Sequence, residues 1–386
     1  MSLAAFPIAR ERGQNAASSS RAAWLDQLLR LDYVFLFSIL GVTLLGLLVL
    51  EGGTHTIPHL ASSASKQAVF LGVAIAALLG TVMVDYRWLN RAAVGIYLLN
   101  LMALVFVLVG GSRINGARSW IDFGPINWQP SETMKVATVL VCAQWVALHP
   151  DRLKGFAGLV VPGLICGVPA LLILAQPDLG TAAIFFMLFL TMMWMGGASR
   201  RWLGIIILSA LVGMGSVYPM LKPYQKARIH VFLNPESDPG GKGYNVIQSK
   251  IAIGSGGLFG KGWGEGTQCT QRFLPEHHTD FIFASTVEQF GALGGLLLLT
   301  GFLVILLRMI RTMDRARDRF GGLVASGLIA IFLTHICLNV GMTMGLVPVT
   351  GIPLPLMSYG GSFLVTTYVM FGVLLNVGSR RFTFIR

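Results

Sequence analysis

Two acids, two histidines and a threonine fall within five residues, Glu276-His277-His278-Thr279-Asp280, directly before an apolar run that opens Phe281-Ile282-Phe283. A carboxylate held where polar sequence gives way to apolar sequence meets a falling dielectric, which raises its pKa, while the start of a helix would lower it. Opposed influences of that kind suit a general base, so Asp280 is the first candidate; capping of the next helix, by Asp280 or Thr279, is the plain alternative. His277 and His278 are adjacent and would point about 100° apart on a helix, whereas a two-histidine metal site is spaced four apart. The pair does not read as a metal site, and His278 enters only as a possible substrate contact.

Further along the list come Glu132 and Lys135, in Gln129-Pro130-Ser131-Glu132-Thr133-Met134-Lys135. Three apart, they share one face of a helix. The structural alternative is Ser131 as N-cap, Glu132 against the helix dipole and Lys135 snorkelling outward. Asp178, in Gln176-Pro177-Asp178-Leu179-Gly180-Thr181, is the only charge between Gly155 and Ser199, so it is either a cap, a functional acid or both. Arg113 and Arg118 sit in a short loop beside Trp120. With Lys135 they could pair with phosphate oxygens, or they could be interfacial anchors. The four cysteines show no metal-ligand spacing.

These residues need elements to place them. Of the 386 residues, 54% are hydrophobic and 12% charged, too apolar a balance for one water-soluble core. Charge-free runs long enough to cross about 30 Å of hydrocarbon recur along the chain. They give an all-α polytopic membrane protein with ten spans, near 31–50, 67–84, 92–110, 132–148, 157–176, 179–198, 202–220, 281–307, 321–345 and 360–378. With the N-terminus inside, eighteen Lys and Arg fall in inner segments and three in the short outer loops. That bias puts both termini in the cytoplasm and the long loop 221–280 outside. It also explains the formal charge of +12 without nucleic acid.

Residues 1–30 and 379–386 read as cytoplasmic tails, the former without the apolar core of a signal peptide, and 31–378 as one membrane domain. In the long loop, 228–233 and 246–253 have the pattern of short interfacial helices. Residues 320–379 contain no Asp, Glu, Lys or Arg, and their Pro- and Gly-rich middle, 347–361, must line a cavity or be buried in protein.

A set of motifs recurs in order: 124–132 with Lys135, 176–181, Phe232-Leu233-Asn234-Pro235-Glu236, Gly266-Thr267-Gln268, Phe273-Leu274-Pro275-Glu276 with 278–283, and Pro355-Leu356-Met357-Ser358-Tyr359-Gly360-Gly361-Ser362. Over about residues 30–378 the chain resembles the SEDS family (shape, elongation, division and sporulation) of bacterial cell-wall polymerases, and its elongation members more than its division members. The resemblance implies a glycosyltransferase of the bacterial cytoplasmic (inner) membrane that polymerises lipid II on the outer face, working with a class B penicillin-binding protein. It implies Asp280 as the essential acid, with Glu132, Lys135 and Asp178 in the same cavity and Arg118, His278 and Ser358 as substrate contacts. A divalent cation, Mg²⁺ or Mn²⁺, could be held by Asp280, Glu132 and Asp178. The pair of acids usual after the Asp280 motif reads Glu288-Gln289 here, so no role is expected of the second position. A lipid II flippase and a non-catalytic scaffold are the rival expectations.

Overall fold

The computed structural model describes residues 31–114, 117–122, 124, 127–217, 223–238 and 240–380. The expected N-terminal tail, 1–30, and 381–386 of the C-terminal tail lie outside the described residues. Helices α1 (Tyr33–Thr54), α2 (Ser63–Met83), α3 (Tyr86–Gly110), α4 (Pro130–Leu148), α5 (Ala157–Ala175), α6 (Leu179–Met195) and α7 (Arg200–Val217) come first. After α8 (Pro223–Leu233), α9 (Lys242–Ser255) and the short α10 (Thr267–Thr270) follow α11 (Ile282–Asp314), α12 (Arg319–Thr343) and α13 (Gly361–Ser379). A helix thus lies on each of the ten expected segments, and α8 and α9 contain the two amphipathic stretches of the long loop. Among the described residues seven helices, α1, α2, α3, α5, α11, α12 and α13, are long and apolar enough to cross a membrane; α6 is apolar but shorter.

The fold is not wholly helical. The loop after α3 forms three short antiparallel strands, β1 (Ser112–Ile114), β2 (Ala117–Asp122) and β3 (Asn127–Trp128), in that order. The signal was an Asn-Gly pair, Asn115-Gly116, between the first two strands, a strong hairpin sequence.

Aspartates start and clasp the helices at one end of the bundle. Asp32, Asp85 and Asp318 accept hydrogen bonds from the amides of Phe35, Arg87 and Gly321, capping α1, α3 and α12. The same carboxylates reach across: Asp32 to Arg308 Nε (2.7 Å), Asp85 to Arg380 (3.0 Å) and Asp318 to the Tyr86 hydroxyl (2.9 Å). Between the helices, Phe35, Phe371, Phe332 and Phe302 stand edge to face in sequence, with centroids 5.4–5.8 Å apart, linking α1, α13, α12 and α11.

Helix α11 is broken at Gly291, whose φ of 71° needs a residue without Cβ. The segment 257–262 occupies the break: Lys261 and Gly262 donate to the Glu288 and Gln289 carbonyls, while Ala292 and Leu293 donate to Gly257 and Leu258. The backbone groups freed by the break are thereby paired, which an apolar setting requires. Buried Glu288 adds an ion pair to Lys261 (2.8 Å) and accepts from the Gln268 amide (2.9 Å). The end of the long loop is therefore pinned to α11 just after the stretch that carries Asp280.

Candidate functional site

The charge-free segment between α12 and α13, residues 344–360, is the hub of the site. Asn339 of α12 donates from one amide nitrogen to the Asp280 carbonyl and the Ile352 carbonyl, each at 2.8 Å. Ser358 donates to the Thr279 carbonyl (2.6 Å) and accepts from the Leu354 amide (2.8 Å). The Tyr359 amide donates to the His278 carbonyl (2.9 Å). Gln67 of α2 brackets the same turn, donating to Ser358 O and accepting from Gly360 N, both at 3.1 Å. The carbonyls of His278, Thr279 and Asp280 are thus held by this hub and by α12, and α2 brackets the hub in turn.

The N-cap position of α11 falls one residue past Asp280. That helix begins at Ile282, and the residue before it, Phe281, makes no side-chain cap. The Asp280 carboxylate lies against Gly351, where an added Cβ would come within 3.4 Å of Oδ2. Gly351 has φ +73°, so the turn both opens room for the carboxylate and calls for glycine.

Asp178 does cap its helix, accepting from the Thr181 amide at 3.0 Å. Its first turn meets the hub as well: a Cβ on Gly180 would approach Thr350 and Ile352 to 2.9 Å. The first turn of the helix that Asp178 caps and the Asp280 carboxylate therefore both meet one short segment, 350–352.

Glu132 and Lys135 behave differently from a cap and a snorkelling lysine. The N-cap of α4 is Gln129, without a side-chain bond, and the Ser131 hydroxyl is buried with no partner among the described residues. Lys135 is only 2% exposed and pairs with Glu132 at 2.8 Å. Its ammonium also lies 3.0 Å from His335 Nε2 and 5.8 Å from the centre of the Phe363 ring. A buried ammonium is tolerated because it is paired and hydrogen-bonded. These groups, with Pro355, Thr366 and Thr367, line a cleft of about 300 Å³. Pro355 belongs to the hub, so cleft and Asp280 share one wall.

His278 sits half-buried, its ring 6.1 Å from that of Tyr359. Burial first, then His277 and His59 beside it, push it down to about 4, so it is neutral near pH 7. His277 is buried between the carbonyls of Leu274 (2.8 Å) and Gly53 (3.1 Å), tying the stretch to α1. The Arg118 side chain lies outside the described residues. Gln289, at the departure from the usual pair of acids, donates to Val49 O and Ser285 Oγ, each at 3.1 Å; a carboxylate has no proton to give there.

Sequence reasoning missed His335, Asn339 and Gln67. The first two escaped because the search was for formal charge, and 320–379 has none. Their i, i+4 spacing on an apolar helix was the available signal.

Among the described residues, no group of three or more His, Cys, Asp or Glu is arranged to hold a metal ion. Glu132 is engaged by Lys135 and Asp178 by its helix end. The expected set of Asp280, Glu132 and Asp178 is therefore not gathered into a cage.

Fold and site define an integral, multi-pass helical membrane protein whose buried polar residues converge on one charge-free loop. The profile of the FtsW/RodA/SpoVE family, described as cell cycle protein, matches residues 27–382, and the chain belongs to that family. It is 40% identical over 293 residues to the peptidoglycan glycosyltransferase MrdB of Escherichia coli K12, covering 74% of this chain and 77% of that one. It is 33% identical to the peptidoglycan glycosyltransferase RodA of Treponema pallidum, covering 91% and 98%. Among solved structures, a peptidoglycan synthase complex that coordinates polymerization and crosslinking contains a chain with TM-score 0.79 and 30% identity, covering 91% and 98%. RodA of Thermus thermophilus matches with TM-score 0.69 and 26% identity, covering 92% and 98%.

Proposed function

We propose that this chain is a peptidoglycan glycosyltransferase that polymerises lipid II into glycan strands at the outer membrane face during elongation, with Asp280 as general base. The observation that carries the reading is the shared hub. The segment that receives the Asp280 carboxylate at Gly351 also lines, through Pro355, the cleft of Lys135, Glu132 and His335. The names of the relatives supply the reaction class.

In the proposed step the 4-hydroxyl of the acceptor sugar attacks the donor's anomeric carbon. A new C–O bond forms as the bond to the lipid diphosphate breaks, with inversion, and the hydroxyl proton passes to the Asp280 carboxylate. Lys135, with Arg118, offsets the negative charge of the departing diphosphate. Glu132 holds Lys135, and Asp178, His278 and Ser358 shape the substrate side of the hub. A divalent cation, Mg²⁺ or Mn²⁺, is part of this reading only as a companion of the substrate's diphosphate, and no step is routed through it.

We place the ten helices on the expected segments as ten spans of one domain, 31–378, with both termini cytoplasmic and 221–280 outside. A class B penicillin-binding protein is the proposed partner, in line with the crosslinking named for the structural relative.

The test uses purified full-length protein in detergent with labelled lipid II. Polymer formed in the absence of a membrane supports the enzyme. Intact protein that binds lipid II, makes no polymer with or without the transpeptidase, and moves the lipid across vesicles points to the flippase instead.

A further inference from the structure

We propose that His335 is a positioning residue: as a neutral hydrogen-bond acceptor it aims the Lys135 ammonium at the cleft that takes the substrate's diphosphate. The inference rests on the polymerase reading above and assigns a role to a residue outside it.

His335 is 2% exposed, one turn before Asn339 on α12. Its Nδ1 stands 2.8 Å from the Ile331 carbonyl. A carbonyl only accepts, so Nδ1 carries the hydrogen, and the neutral ring presents a lone pair at Nε2. Nε2 is the atom 3.0 Å from Lys135 Nζ, so the lysine donates to it. Two cations could not share that contact.

Lys135 has three N–H groups. One goes to Glu132 and one to His335; among the described residues the third has no acceptor, and Lys135, Glu132 and His335 all line the cleft. The two contacts fix the direction of the third. The chemistry of the second acceptor matters because Glu132 already balances the ammonium. Another carboxylate would surround one cation with two anions and repel a diphosphate. An apolar residue would leave the ammonium less firmly aimed, whereas imidazole orients it without adding charge.

The test compares binding of undecaprenyl diphosphate to the full-length protein in detergent, alongside polymerisation and thermal melting. His335→Phe keeps the ring beside Phe363, now 5.3 Å away, but removes the acceptor. Its dissociation constant should rise about tenfold, the cost of loosening one charge-assisted hydrogen bond. His335→Gln, which can still accept from Lys135, should recover most of the affinity. His335→Leu repeats the comparison if His335→Phe melts below the parent. Parent-like affinity in both acceptor-less variants, or no recovery by His335→Gln, overturns the inference. A parent that binds the probe but makes no polymer overturns the polymerase reading instead. A parent that does not bind the probe overturns the cleft as a diphosphate site and this role with it.

Discussion

Replacing Asn339 by Leu removes the clip that fixes Asp280 while keeping side-chain volume. Asn339 is fully buried and donates at 2.8 Å to two carbonyls, those of Asp280 and Ile352. Each such bond contributes about 0.5–1.5 kcal/mol net, and each buried carbonyl left without a donor costs about 1–3 kcal/mol. For the two stranded carbonyls the loss is therefore about 2–6 kcal/mol, concentrated where the Asp280 backbone meets the Gly351 turn. If the carboxylate then shifts by about 1 Å, the rate falls about 100-fold. Denaturant or thermal unfolding in detergent reads the first number and polymerisation of lipid II the second. Asn339→Asp has nearly the same shape but presents oxygen to both carbonyls, and it should do at least as badly. An Asn339→Leu protein with parent stability and parent rate would show that the clip does not position Asp280.

Lys135→Met leaves Glu132, 5% exposed, as an uncompensated buried charge, and should cost about 3–5 kcal/mol; adding Glu132→Gln should recover most of it in the same unfolding assay. His278, held down to about 4 in the folded chain, gives stability a pH dependence of definite sign. Between its ordinary value near 6.5 and about 4 the unfolded chain takes up a proton that the folded chain does not. Stability should therefore be full above about pH 6.5 and fall as pH drops toward 4, by an amount on the order of 2 kcal/mol after allowing for partial exposure. His278→Asn should flatten that part of the melting profile, and an unchanged slope would remove His278 as its source.

The legible parts of the chain were those where membrane placement makes a residue costly. Among the described residues a helix lies on each of the ten apolar segments and seven of these helices are long and apolar enough to cross a membrane, and Asp280, Glu132, Lys135 and Asp178 stood out because few charges interrupt those segments. Local capping was read less well: α4 starts at Pro130, one residue ahead of Ser131, and the N-cap position of α11 falls on Phe281, so neither helix begins at the residue that the sequence offered as its cap. The clip and bracket made by Asn339 and Gln67, 59 and 291 residues away in sequence from the backbone groups they hold, depend on the packing of α2 and α12 against 344–360. The hairpin of β1 and β2 was missed, although the Asn115-Gly116 pair was its available signal.

The central claim is that Asp280 takes the proton from the attacking hydroxyl. Its most direct test is the rate of lipid II polymerisation by purified Asp280→Asn protein, together with binding of undecaprenyl diphosphate to the same sample. The account predicts diphosphate binding within about threefold of the parent and a polymerisation rate lower by at least about 100-fold, the scale of a lost general base. Polymer formed at the parent rate would contradict it.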